Sequence, residues 1–183
     1  MRDRSDPVPF LPTLRVREAR AIYFEENGFD TSAYTEPTVP LRLFGIDAVL
    51  PNLASRKWAV PMHDLHHVAT GFGSDVYGEA EVSAFELGGG CRFVYVHLLN
   101  ATVMLLGLVL APRRTLRAFA LGRRARTLYR LDVSLDTLLD ETVGALRARL
   151  GLPLEGIADR PRGLHEAAPS RADDQVRARD RAM

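Results

Sequence analysis

The stretch PMHDLHHVATGFGSDVYGEAEVSAFEL, residues 61–87, decides how the rest of the chain reads. Pro61 suits the first turn of a helix, and Gly71 suits the position just past its end. Residues three and four apart on a helix share a face. His63 and His67 therefore stand one above the other, with Asp64 at the edge of that face. The loop GFGSD, residues 71–75, turns the chain. Ser74 or Asp75 can cap a second helix, which carries Glu79 in its first turns. Antiparallel packing of the two helices would bring Glu79 toward the imidazoles. Two histidines and two carboxylates converging on one point suit a divalent metal ion.

Each of these residues also has a plainer reading. A His-x-x-x-His pair can be two polar residues near a helix surface. Asp64 in a first turn favours the helix dipole without any metal. Glu81 and Glu86 lie near Glu79, and spacing alone does not choose among the three acids. Glu86 shares a helical face with Glu79 and reads as a solvated acid, or as a partner standing behind a ligand. His66 reads as the same kind of partner, or as exposed. Better-known metal patterns fit less well. A zincin protease needs His-Glu-x-x-His, and Asp64 occupies the glutamate's place. Phosphohydrolases with a His-Asp pair need a histidine further upstream, and none precedes His63. The loop GFGSDVYG has Val76 where a dinucleotide fingerprint has its third glycine.

The pattern H-D-x-x-H, eleven residues, then E, formed by His63, Asp64, His67 and Glu79, resembles the signature of the coenzyme Q (ubiquinone) biosynthesis family often called Coq-four. The surrounding HDLHHVATGFGSDVYGEAEVSAFEL resembles that family's stretch, and GRRARTLYRLDVSLDTLLDETVGALRARLGLP resembles its closing segment. The likeness runs over residues 41–153. It selects Glu79 among the acids and implies His63, Asp64, His67 and Glu79 as metal ligands and catalytic residues. It implies zinc as the cofactor, although two imidazoles with carboxylates also suit iron. The implied activity is metal-dependent (oxidative) decarboxylation of the ring of a polyprenyl hydroxybenzoate, with other quinone-biosynthesis enzymes as partners. The alternative is a non-catalytic lipid-binding scaffold with a structural zinc.

The chain has 183 residues, enough for one domain with its own core. The formal charge is +1, so nothing global demands nucleic acid, and a homodimer stays open. Lys57 is the sole lysine, which reads as genomic composition. The single cysteine, Cys91, excludes an internal disulfide framework and fits a reducing compartment. The opening MRDRSDPVPFLP does not read as a signal peptide. The expectation is an all-α, single mostly helical domain, in the cytoplasm and peripheral to the inner membrane.

Residues 1–12 read as a loose arm, 13–155 as the helical domain and 156–183 as a disordered, charged tail. Thr13 is the expected cap of a first helix that ends at Asn27-Gly28. A connector punctuated by Pro37, Pro40 and Pro51 follows. Gly88, Gly89 and Gly90 read as the terminator of the Glu79 helix. Further helices are expected over 115–121 and, as one piece started by Asp132 or Ser134, over 135–150.

Residues 93–111, FVYVHLLNATVMLLGLVLA, form the most apolar run. His97 and Asn100 interrupt it, and each costs insertion energy in a bilayer. The favoured reading is a central core helix rather than a membrane span. Small residues Ala101, Gly107 and Ala111 could leave room beside it for an apolar ligand. Arginines 113, 114, 117, 123, 124, 126 and 130 follow, with no acid from 111 to 131. They read as a solvated face, as a contact for anionic lipid headgroups, or as a grip for a substrate carboxylate. No aromatic interleaving accompanies them, so nucleic acid is not expected.

Overall fold

In a computed structural model, which describes residues 9–43 and 46–157, the quoted stretch folds about the two punctuation marks read from it. In chain order the elements are α1 (Val16–Asn27), α2 (Ser32–Thr35), β1 (Thr38–Leu43), β2 (Ile46–Pro51), α3 (Ala54–Thr70), α4 (Val76–Gly89), α5 (Val94–Leu110), α6 (Pro112–Gly122), a 3-10 turn (Leu128–Arg130), α7 (Leu135–Asp140) and α8 (Val143–Leu150). Gly71 ends α3 in the left-handed region at φ 82°, and its N–H donates to the His67 carbonyl. Asp75, rather than Ser74, caps α4 by accepting from the Gly78 N–H at 2.8 Å. The all-α expectation holds. One antiparallel hairpin, paired from Thr38↔Pro51 to Leu43↔Ile46, interrupts the helices between α2 and α3.

Pro61 does not start its helix. α3 begins seven residues earlier, at Ala54, and runs through the proline. The stretch ASRKWAV is made largely of helix formers, and an interior proline removes only one backbone bond from a helix held by burial on its far side. Pro61, Met62 and residues 64–70 are all buried.

The segments before α1 and between α7 and α8 meet across one short bridge, Arg15↔Thr142. Val16 N–H donates to Glu141 O at 2.9 Å, and Val143 N–H donates to Leu14 O at 2.8 Å. This pairing sets the first helix start at Val16 rather than Thr13. It also splits the single helix expected over 135–150, because residues 141 and 142 are extended to make it. Ser134 caps α7 through Thr137 N–H, and Thr142 caps α8 through Ala145 N–H, each at 3.2 Å. Part of the expected arm is tied down as well. Phe10 is buried in the core, and Pro12 O accepts from Gly144 N–H at 2.9 Å. Residues 1–8 of the arm and 158–183 of the tail lie outside the described residues.

α4 is the hub. It packs against α6 on one side and α5 on another. The α4–α6 contact is backbone to backbone: a Cβ on Gly122 would fall 2.1 Å from Phe85 O, and one on Gly88 would fall 2.4 Å from Phe119 O. Of the glycine triplet, only Gly90 is a terminator, with φ 99°. Gly88 and Gly89 lie inside α4, where their missing side chains admit neighbouring elements.

α5 is a helix, as its composition demands, but not a core one. It buries only Val96, Asn100 and Gly107. Val94, Leu98, Leu105 and Val109 are 77%, 64%, 63% and 79% exposed and fall on one side of the helix. Gly107 leaves no ligand channel: a Cβ there would fall 2.4 Å from Ala80 Cβ, so its gap is filled by α4. Seventeen residues span about 25 Å as a helix. No helix among the described residues is long and apolar enough to cross a membrane.

Candidate metal centre

α3 and α4 face one another as their caps dictate, and three of the four expected ligands converge. His63 Nε2 lies 3.2 Å from His67 Nε2. One oxygen of Glu79 lies 3.3 Å from His63 Nε2, and the other lies 3.4 Å from His67 Nε2. These are separations that a common ion can explain. A four-coordinate zinc with bonds of about 2.0–2.1 Å holds its ligand atoms about 3.3 Å apart. His63, His67 and Glu79 form a group that could hold a metal ion.

The imidazoles are turned toward this point from behind. His67 Nδ1 lies 3.0 Å from Phe72 O, a carbonyl that can only accept, so Nδ1 carries the proton. His63 Nδ1 lies 2.9 Å from Glu86 Oε1, a carboxylate oxygen. Both rings therefore turn Nε2 toward each other and toward a carboxylate. Positive charge at this point, a proton on an Nε2 or a metal ion, holds the three groups together. The electrostatics of His63 favour such a charge. Burial alone would lower its pKa, but Glu86 and Glu79 reverse this and hold it well above the ordinary value. Burial would raise Glu79, yet His67 and His63 hold it well below the usual carboxylate range. Tyr23 of α1 stacks on His67 with ring centroids 5.2 Å apart and fixes that ring from its face.

Asp64, the fourth expected ligand, stands apart from the group. It is the next residue round the helix, and its Oδ2 accepts from Tyr34 OH at 2.6 Å. Burial raises its pKa. That leaves three residues that could ligate an ion, the number a zinc site has when a coordination position is kept for water or substrate.

Glu86, read as a solvated acid or as a partner standing behind a ligand, is fully buried. Its Oε1 accepts from His63 Nδ1, from His66 Nδ1 at 2.7 Å and from Tyr129 OH at 2.9 Å. Its Oε2 accepts from Asn100 Nδ2 at 2.5 Å. Burial opposes its ionisation, but His63 and His66 overcome this and keep it well below the usual range. His66 is likewise buried, and burial lowers its pKa. It is neutral, with Nδ1–H on Glu86 and Nε2 accepting from Leu128 N–H at 2.9 Å. Asn100, the polar interruption of the apolar run, thus faces inward onto a carboxylate. The signals for this network were the seven-residue spacing from Glu79 to Glu86 and the lone asparagine of α5.

His63 and Glu79 of the cluster line a cavity of about 620 Å³, with His67 behind them. α1 contributes Tyr23 and Phe24, α3 contributes Arg56 and Val60, and α5 contributes Leu99 and Val103. The α2 segment closes over it and is fastened by Asn52 Nδ2 on Ala33 O and Glu36 O, both at 2.8 Å, and by Lys57 Nζ on Thr35 O at 2.6 Å.

Fold and site together define a helical protein with a candidate His-His-Glu metal centre beside a largely apolar cavity. No family model matches the chain, and comparison with curated proteins and with solved structures gives no match either.

Proposed function

We propose that the protein serves ubiquinone biosynthesis, as its signature stretch suggests, by removing the ring carboxylate of a polyprenyl hydroxybenzoate at a membrane surface. The observation that carries this reading is the cluster itself: two imidazole nitrogens and a carboxylate within 3.2–3.4 Å of one another, with His63 and Glu79 lining a cavity roomy enough for an aromatic ring. His63, His67 and Glu79 would hold the ion. When bound, a divalent metal supplies charge stabilisation to an oxygen of the substrate; zinc fits the ligand set and would give simple decarboxylation, whereas coupled hydroxylation calls for a redox metal such as iron. Tyr23, Phe24 and Leu99 give the ring apolar walls. As the carbon–carbon bond to the carboxylate breaks and carbon dioxide leaves, the ring carbon takes a proton. Asp64 lines the cavity and its raised pKa suits it to carry that proton on Oδ1, with Oδ2 held by Tyr34.

The membrane side of the proposal rests on α5 and α6. The exposed stripe of Val94, Leu98, Leu105 and Val109 adjoins exposed Arg113 and Arg117, and the run 87–131 contains no acid. An apolar stripe beside cations suits an anionic lipid surface. Arg114 is not part of that face: it grips buried Glu81 through two bonds, at 3.0 and 2.7 Å. The polyprenyl tail of the substrate and partner quinone-biosynthesis enzymes would share this surface.

Incubating the purified, metal-loaded protein with a prenylated hydroxybenzoate and following carbon dioxide by mass spectrometry tests the reading. Release that is lost in His67→Ala supports it. Intact substrate in the presence of stoichiometric metal overturns it in favour of a lipid-binding scaffold.

A further inference from the structure

One cation in the cavity wall has no anion to serve. Arg56 lines the cavity and is partly buried. Its one hydrogen bond is from Nη1 to the neutral Asn52 Oδ1, at 3.1 Å. Neither an ion pair nor another hydrogen bond engages it among the described residues. Asn52 is itself buried, and its amide nitrogen is committed to Ala33 O and Glu36 O. Its oxygen is thereby fixed toward the guanidinium, which holds Arg56 in place while leaving Nε and Nη2 free to donate. Burial lowers the pKa of the group, while Tyr95 and Asp64, both cavity residues, act in the other direction. A guanidinium that is desolvated, positioned and unpaired is the arrangement that recognises a carboxylate by two parallel bonds.

Its place on α3 relates it to the metal cluster. Arg56, Ala59, Val60 and His63 all line the cavity and follow helical spacing, so one face of α3 forms a continuous wall. Arg56 and His63 are seven residues apart, a rise of about 10 Å along the helix. A ring-sized molecule lying along this wall has a cation at one end and the cluster at the other.

We infer that Arg56 is the acid-binding residue of the cavity, gripping the carboxylate of an aromatic acid whose phenolic oxygen lies toward His63, His67 and Glu79. This rests on the proposed function and goes beyond it, because it fixes which end of the substrate faces which group. It also makes the free acid, rather than an ester or amide, the form that binds.

Binding of two probes to the full-length protein tests the assignment: a prenylated 4-hydroxybenzoic acid and its methyl ester, each titrated calorimetrically. Wild-type protein binds the acid about 10- to 100-fold more tightly than the ester, the range for a charge-assisted pair. Arg56→Met keeps the affinity for the ester, which also reports an intact cavity, and loses the preference for the acid. Arg56→Lys, a point charge without the fork, recovers part of it. Equal binding of acid and ester by the wild type, or an unchanged preference in Arg56→Met, overturns the assignment and leaves the substrate class standing. Binding of neither probe by the wild type overturns the substrate class itself, and the assignment with it.

Discussion

Glu86 sets the behaviour of the centre at the scale of single residues. It touches no ligand atom that faces the cluster, yet it takes hydrogen bonds from His63, His66, Tyr129 and Asn100. Fixing the Nδ1–H of a ligating imidazole sets its tautomer and makes its other nitrogen a better donor to a metal. Glu86→Gln is expected to weaken zinc binding about 10- to 100-fold, measured by competition with a chromogenic chelator. Unchanged affinity would mean that His63 is oriented without it. The three converging groups were legible in the sequence because a helix places His63 under His67, and Gly71 and Asp75 mark the reversal that brings Glu79 back. The burial of Glu86 was not, because it depends on Asn100 and Tyr129, which only the tertiary fold delivers. Asp64 had the right spacing for a ligand, but it stands outside the converging group, with Tyr34, 30 residues upstream, donating to its Oδ2.

Among the elements, the α4–α6 contact bears the strictest geometric demand. A glycine in helical conformation is ordinarily improved by alanine, which gives the unfolded chain less freedom to lose. Here the sign reverses, because the new methyl would lie 2.1 Å from Phe85 O. Gly122→Ala is expected to destabilise the protein by about 1–3 kcal/mol, read from the midpoint and slope of chemical denaturation. A neutral or stabilising result would contradict the close approach. Helix periodicity revealed α3 to α6 and one helical stretch over 135–150, but not where α3 begins or that the last stretch is two helices. The leucine spacing runs on through residues 141 and 142, while the bridge to α1 breaks the helix there. Pro61 looks like a start by local rules, yet burial of the surrounding turns carries α3 through it.

At the scale of the whole molecule, hydropathy marked residues 93–111 as apolar without saying what would cover them. The answer is divided: one side packs on α4 and lines the cavity, and the other stays exposed. If that side meets lipid, Leu98→Glu with Leu105→Glu should lower sedimentation with anionic phosphatidylglycerol vesicles by at least about 10-fold, given the transfer energy of two leucines. Raised salt should weaken what remains, since the arginines act by screened attraction. Vesicle binding equal to wild type would remove α5 as the contact. Metal content is also a property of the whole molecule, and it tests most directly the claim that α3 and α4 assemble a cation site. Elemental analysis of the purified protein should find one transition-metal ion per chain after zinc or iron loading, and less than about a tenth of that in His63→Ala with the fold retained. Wild-type protein that takes up no metal, or His63→Ala protein that keeps a full equivalent, would contradict it.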